Sequence, residues 1–156
     1  MDDLPDLIED LQLGQRVAAH CQMIDGFLAQ QLEAGAIDVA LEASTDEVLI
    51  HGHCHRKAMS GTAGLHALLK RVKGLKVSEV DAGCCGLAGS FGYEHYDVSM
   101  KIGKQRLFPA ANAAAKRAAA VCANGFSCRH QLSDGTGVRG KHLVELIRAT
   151  PAAKAS

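Results

Sequence analysis

Three short apolar segments divide the chain, and each is followed by a cysteine or by a pair of cysteines. The segments contain the runs DEVLI, KVSEV and AAAVC. Their length, their valine content and the charged residues or glycines around them are typical of short buried strands. Segments with helical spacing of apolar residues lie between them. This alternation predicts an α/β fold with three layers, in which crossover helices connect the strands of a mostly parallel sheet.

The same periodicity predicts where helices lie. Residues 5–34 read as a helical lead-in with a break at Gly14, and residues 96–117 as helical with an interruption at Pro109. The run GVRGKHLVELIRAT predicts a closing helix. We expect residues 1–148 to form a single cysteine-rich α/β domain, with 1–34 as its lead-in, and residues 149–156 to be a disordered tail.

Composition limits the classes of function. The 17 basic and 17 acidic residues cancel, so no basic field favours nucleic acid. No apolar run is long enough to span a membrane, and the first residues are acidic where a signal peptide would be basic. We therefore expect a cytoplasmic protein. In that reducing compartment, six cysteines favour metal binding or redox chemistry over a disulfide framework.

Four of the cysteines fall at or just after the ends of the predicted strands. In a parallel sheet these ends lie along one edge, so residues far apart in sequence can converge there. Thiolates are soft ligands that suit zinc or an iron–sulfur cluster, and four sulfurs are what such centres require. The sequence thus predicts one shared metal site at this edge; its four candidate ligands are Cys54, Cys84, Cys85 and Cys128.

The adjacent pair Cys84 and Cys85 lies in the glycine-rich run VDAGCCGLAGSFGYEHY. Adjacent side chains of a regular strand face opposite ways, but glycines allow a tight turn that points both thiols at one centre. Two other interpretations remain for this pair: two small buried hydrophobic side chains, or a strained vicinal disulfide. Cys21 and Cys122 lie within apolar periodic segments, and we expect both to pack in the core.

Histidines surround Cys54 in the run HGHCHRKA. If this segment stays extended, His51, His53 and His55 share one face and the cysteine points to the other. Either the cysteine or the histidines would then bind a given ion. For His53 and His55 the expected duty is a hydrogen bond to a cluster sulfur, or capping, rather than coordination.

The cysteine order resembles that of a known family. HGHCHRKA, then AGCCGLAGSFGYEHYDVSMKIG, then GFSCRHQLSDGTG is similar to the cysteine-rich CCG domain family, in the version found at the carboxyl end of FAD-linked oxidases of the D-lactate and glycolate type. The resemblance covers roughly residues 45–148. Related domains occur in the iron–sulfur subunit of glycolate oxidase, in the B subunit of heterodisulfide reductase and in the third subunit of anaerobic glycerol-3-phosphate dehydrogenase.

The resemblance implies that Cys54, Cys84, Cys85 and Cys128 bind an iron–sulfur cluster, with a 4Fe–4S cluster expected and zinc as the alternative. The family often ends in a C-x-x-C pair, whose first position here is Gly125. The implied function is an electron-transfer module of a flavin-dependent 2-hydroxy acid oxidoreductase. FAD would lie only on a partner flavoprotein domain or subunit, and any peripheral membrane association would come through partners.

Other functions stay open at this point. The chain has no recognisable flavin or nicotinamide site, so we expect it to oxidise no substrate alone. It would be part of an FAD-linked oxidoreductase as a fragment or a subunit. One alternative is a structural or docking domain of such an oxidase that holds zinc or no metal. A thiol-redox enzyme that uses Cys84 and Cys85 is a weaker alternative, because the chain has no C-x-x-C motif.

Overall fold

The computed structural model describes residues 4–151. Strands and helices alternate through the middle of the chain, as the apolar periodicity predicts. The strands are β1 (Val39–Ala43), β2 (Glu47–Ile50), β3 (Lys76–Glu79), β4 (Ala120–Cys122) and β5 (Ile147–Pro151). The helices are α1 (Leu4–Leu7), α2 (Leu11–His20), α3 (Ile24–Glu33), α4 (Cys54–Met59), α5 (Ala63–Leu69), α6 (Phe91–Glu94), α7 (Tyr96–Gln105), α8 (Leu107–Lys116), α9 (Phe126–Thr136) and α10 (Leu143–Leu146).

A three-stranded parallel sheet forms the centre, in the order β3-β2-β4. Val48 of the central strand lies opposite Val77 on one side and Ala120 on the other. The chain passes from β2 to β3 through α4 and α5, and from β3 to β4 through α6, α7 and α8. The predicted α/β fold with a parallel sheet and crossover helices is confirmed.

The sheet is covered on both faces, which produces the three layers. Because side chains alternate along a strand, Val48 and Ile50 pack with the leucines of α5 and with α10, whereas Leu49 packs on the opposite face with α8 and α9. Burial of each such aliphatic side chain stabilises the fold by about 1.5–3 kcal/mol. Cys122 is fully buried on the α5 face, so the prediction that it packs in the core is confirmed.

The carboxyl-terminal segment differs from its prediction. The closing helix is only α10, and β5 follows it directly and pairs antiparallel with β1, so that Ala43 lies opposite Ile147. The prediction of one long helix was wrong because this pairing between distant segments prevails over local helical periodicity. Residues 149–151, which we expected in the disordered tail, belong to β5. The rest of that predicted tail lies outside the described residues.

Two helix breaks also fall elsewhere than predicted. Gly14 lies inside α2, where it packs against α1, and the first break precedes α2 instead. Pro109 does not interrupt a helix but is the third residue of α8. The first turn of a helix has no intrahelical use for its N–H groups, so proline is tolerated there.

Cys21 is exposed, which makes its predicted place in the core wrong. Helix α2 ends at His20, and the extended backbone of Cys21 takes its side chain off the apolar face. Within the part of the chain that the structure describes, no helix is both long and apolar enough to cross a membrane.

Candidate metal centre

The carboxyl ends of the three parallel strands position the candidate site. Cys54 begins α4 four residues after β2 ends, and Cys128 lies in the first turn of α9, shortly after β4. Cys84 and Cys85 follow β3 in a loop, and the N–H of Val80, just before this loop, donates to the carbonyl of Ile50. Short connections from one rigid sheet thus bring thiols from three distant parts of the chain to the same edge of the sheet.

The four cysteines form two pairs that differ in exposure. The outer pair is Cys54 and Cys84, whose sulfurs lie 3.9 Å apart and are partly exposed. The inner pair is Cys85 and Cys128, which are only 2% and 1% exposed. The expectation that all four thiols reach a shared centre stays a prediction, but the centre is more buried on its inner side than the sequence suggests.

Gly86 gives the vicinal pair its geometry. Its φ of 104° is one that glycine adopts readily and other residues rarely do. A Cβ at this position would also lie only 2.4 Å from the carbonyl oxygen of Ser99. The N–H of Gly86 donates to the sulfur of Cys84 at 3.3 Å. This turn directs Cys84 to the outer pair and Cys85 to the inner one. Both are free thiols, so the vicinal disulfide does not form here.

His51 completes the inner half of the site; sequence reasoning considered it only as an alternative to Cys54 and missed its place beside Cys85 and Cys128. One ring nitrogen of His51 and the sulfurs of Cys85 and Cys128 all lie within 4.8 Å of one another. The side chain is 2% exposed. Its electrostatic contact with Cys85 lacks ordinary hydrogen-bond geometry, and neither ring nitrogen has such a partner among residues 4–151. The signal was available, because His51 directly follows the last residue of a buried strand.

The other two histidines occupy different places. The chain does not stay extended, because α4 begins at Cys54, so the expected alternation of faces does not apply beyond Ile50. His53 is partly buried and packs on Gly125, where a Cβ would lie 2.7 Å from the His53 ring and 3.0 Å from the sulfur of Cys128. His55 is exposed. A role for either in supporting bound metal stays a prediction.

The inner pair is electrostatically asymmetric. The Cys128 thiol donates to Cys85 and lowers the pKa of Cys85 to about 4, with a smaller contribution from His51. The pKa of Cys128 is raised in turn, because its proton is held in that hydrogen bond. Burial raises the pKa of Cys84, and it raises the pKa of Cys122 to about 12. The inner pair therefore offers a ready thiolate, whereas Cys122 stays a protonated thiol.

Two contacts hold the cysteine-bearing segments in place. Lys57, one turn after Cys54, donates from its ammonium to the carbonyl oxygen of Ala82 in the loop before the vicinal pair. Arg56 forms a buried ion pair with Asp25 of α3, at 2.5 Å. Helix α4 is thus joined to the vicinal-cysteine loop on one side and to α3 on the other.

Comparison with known families gives this geometry a context. Residues 48–133, more than half of the chain, match the family described as CCG, cysteine-rich domain. The chain belongs to this family. The matched range begins in β2 and ends in α9, so it contains all four cysteines of the candidate site and His51.

Three relatives of this CCG domain illustrate its range. The C subunit of anaerobic glycerol-3-phosphate dehydrogenase from Escherichia coli is 26% identical over 94% of this chain and 36% of its own length. A probable glycolate oxidase iron-sulfur subunit of Bacillus subtilis is 31% identical over 90% of this chain and 34% of its own length. D-2-hydroxyglutarate dehydrogenase of Escherichia coli is 31% identical over 78% of this chain and 12% of its own length.

The CCG domain thus spans about a third or less of these relatives. No solved structure shows a significant match to it. Its membership of the family, together with the thiols and the imidazole at one sheet edge, identifies a cysteine-rich metal-binding domain related to oxidoreductases.

Proposed function

We propose that this chain is the iron–sulfur electron-transfer module of a flavin-dependent 2-hydroxy acid oxidoreductase. The observation that carries the proposal is that four free thiols follow three strand ends at one edge of the sheet and lie there as two close pairs. The ligands would be Cys54, Cys84, Cys85 and Cys128, and the expected group is a 4Fe–4S cluster. Such a cluster supplies a one-electron carrier whose potential the surrounding charges adjust.

The donor set fits this group. Four soft thiols suit iron and zinc far better than hard cations such as magnesium. Cys85 already has a strongly lowered pKa, so one ligand is ionised near neutral pH. Gly125 keeps a side chain away from the inner pair, because a Cβ there would lie 3.0 Å from the sulfur of Cys128.

The relatives support the electron-transfer role. One is named as an iron-sulfur subunit of a glycolate oxidase and another as a subunit of a glycerol-3-phosphate dehydrogenase. By analogy, substrate oxidation would take place on a flavoprotein domain or subunit, and the CCG domain would accept electrons from it. A cytoplasmic location fits thiols kept reduced, and we propose it on that ground.

Metal analysis of protein prepared without oxygen tests the proposal. We expect iron and acid-labile sulfide in each folded chain, broad visible absorption, and bleaching when a reduced flavoprotein partner is added. A colourless protein that contains zinc, or no metal after reconstitution, would favour the structural or docking domain instead. The chain alone should not oxidise a 2-hydroxy acid, because transfer of a hydride needs a cofactor that the partner would hold.

A further inference from the structure

His51 is a buried polar side chain without an ordinary partner. Almost all buried polar atoms in folded proteins form a hydrogen bond, yet neither ring nitrogen of His51 does so within residues 4–151. The ring follows β2 directly, so the rigid central strand fixes its position. A buried imidazole without a hydrogen-bond partner among these residues is free to bind a metal ion or another ligand from solution.

The nearest soft donors to this ring are the inner pair. One ring nitrogen and the sulfurs of Cys85 and Cys128 all lie within 4.8 Å of one another. Two sulfurs at about 2.3 Å from one tetrahedral zinc ion lie roughly 3.8 Å apart. Small side-chain rotations would therefore bring all three donors onto one ion without moving the sheet.

We propose that His51, Cys85 and Cys128 form a mixed nitrogen–sulfur site for a single divalent cation of the zinc class. The site uses three protein ligands and leaves the fourth position to water, an arrangement known from open zinc sites. It shares two sulfurs with the proposed cluster, and to that extent it rests on the proposed function. Cys54 and Cys84 take no part in it, so the two forms of the centre have different ligand sets.

The test uses Co²⁺ as a spectroscopic probe of the metal-free, reduced full chain. The wild type should bind one Co²⁺ with tetrahedral d–d bands and sulfur-to-metal charge transfer. H51Q should weaken binding at least about tenfold, since even residues that only support ligands cost 10–100-fold. H130Q is the matched control, because His130 is exposed on the same helix as Cys128, and its affinity should stay at the wild-type value.

C54S separates this site from the cluster. It should keep Co²⁺ binding near the wild-type affinity while failing to hold iron and sulfide. Wild-type Co²⁺ affinity and an unchanged spectrum in H51Q would overturn the inference and leave His51 as a hydrogen-bond donor to Cys85. A loss of Co²⁺ binding in C54S as large as in H51Q would also overturn it, because the site would then be the four-thiolate one.

X-ray absorption at the zinc edge, measured on metal-free wild-type protein loaded with Zn²⁺, keeps the test decisive if H51Q fails to fold. We expect imidazole scattering and two sulfurs, and four sulfurs without imidazole would contradict the inference. The proposed function has its own readout, which is iron and sulfide in the wild type. If the wild type holds no cluster but the Co²⁺ results are as expected, only the proposed function is refuted. If the wild type holds iron and sulfide but H51Q binds Co²⁺ as tightly as the wild type, only the inference is refuted.

Discussion

The sulfur of Cys54 lies 3.9 Å from the sulfur of Cys84, although 30 positions separate the two residues in sequence. The parallel pairing of β2 with β3 produces this contact, because both residues follow strands that end at the same edge. The adjacent Cys85 points instead to Cys128, which follows the third strand.

The turn at Gly86 should be indispensable to the site. Alanine there combines an unfavourable φ of 104° with a Cβ only 2.4 Å from the Ser99 carbonyl oxygen. We expect Gly86→Ala to lower the free energy of unfolding by about 3 kcal/mol or more and to reduce bound metal. Gly83→Ala, in the same loop but with open space around the new Cβ, should change stability by less than about 0.5 kcal/mol. Equal stabilities in urea denaturation would refute this role.

Removing one partner of the buried ion pair between Asp25 and Arg56 should destabilise the fold more than replacing both partners. Both side chains are almost fully buried, so Asp25→Leu would leave an unpaired charge and cost about 3–5 kcal/mol. Adding Arg56→Met should recover part of the loss. The exposed pair Arg148–Glu42 has the same 2.5 Å separation, and Glu42→Gln should cost no more than about 1 kcal/mol. Denaturant titration of the three variants and the wild type measures each value, and a double variant less stable than Asp25→Leu would contradict the account.

Stability of the metal-free protein should depend on pH through Cys85. Its pKa in the folded state is about 4 against an ordinary value of 9.0, so its contribution is complete above the ordinary value and is lost as pH falls toward 4. Between about pH 5 and pH 8, the wild type should gain stability over Cys85→Ser by up to about 1.4 kcal/mol per pH unit. Because the two proteins share all other titrating groups, the contributions of those groups cancel in the difference between the two free energies of unfolding. A difference that does not vary with pH would argue against a Cys85 thiolate.

If the proposed cluster binds, Lys57 should raise its reduction potential. Its ammonium lies at the loop that leads into the vicinal cysteines, and a positive charge there stabilises the added electron. Lys57→Met should therefore make the potential more negative, while Lys57→Arg should keep it close to the wild-type value. Lys70→Met, at an exposed site after α5, is the control. Anaerobic redox titration measures the potentials, and an unchanged value in Lys57→Met would exclude this role.

The central part of the fold could be predicted from sequence because its elements are locally encoded. The runs around Val48, Val77 and Val121 are short, apolar and bounded by polar residues, so strands and their shared edge follow from composition alone. The gathering of Cys54 with Cys84 follows from the same rule, since parallel strands end together. Cys122 likewise lies in the apolar run itself, and its burial follows.

What could not be predicted depends on contacts between distant segments. The pairing of β5 with β1 joins two segments that lie far apart in the sequence, and neither segment shows strand alternation clear enough to overcome the helical spacing around Leu143 and Leu146. The role of His51 depends on where β2 ends and α4 begins, and element boundaries are weakly encoded. Cys21 shows the same weakness: helix α2 ends one residue before it, so the side chain that we expected to be buried is exposed.

Iron and acid-labile sulfide per folded chain, measured in protein prepared without oxygen, test the central claim most directly. The wild type should contain both, and serine at any of the four site cysteines should remove most of both, because a hydroxyl does not replace a soft thiolate. Cys122→Ala should lose only packing, about 1 kcal/mol to a few kcal/mol of stability, and keep its metal per folded molecule. Loss of metal in Cys122→Ala, full retention in Cys85→Ser, or a wild type without iron would contradict the four-cysteine electron-transfer centre.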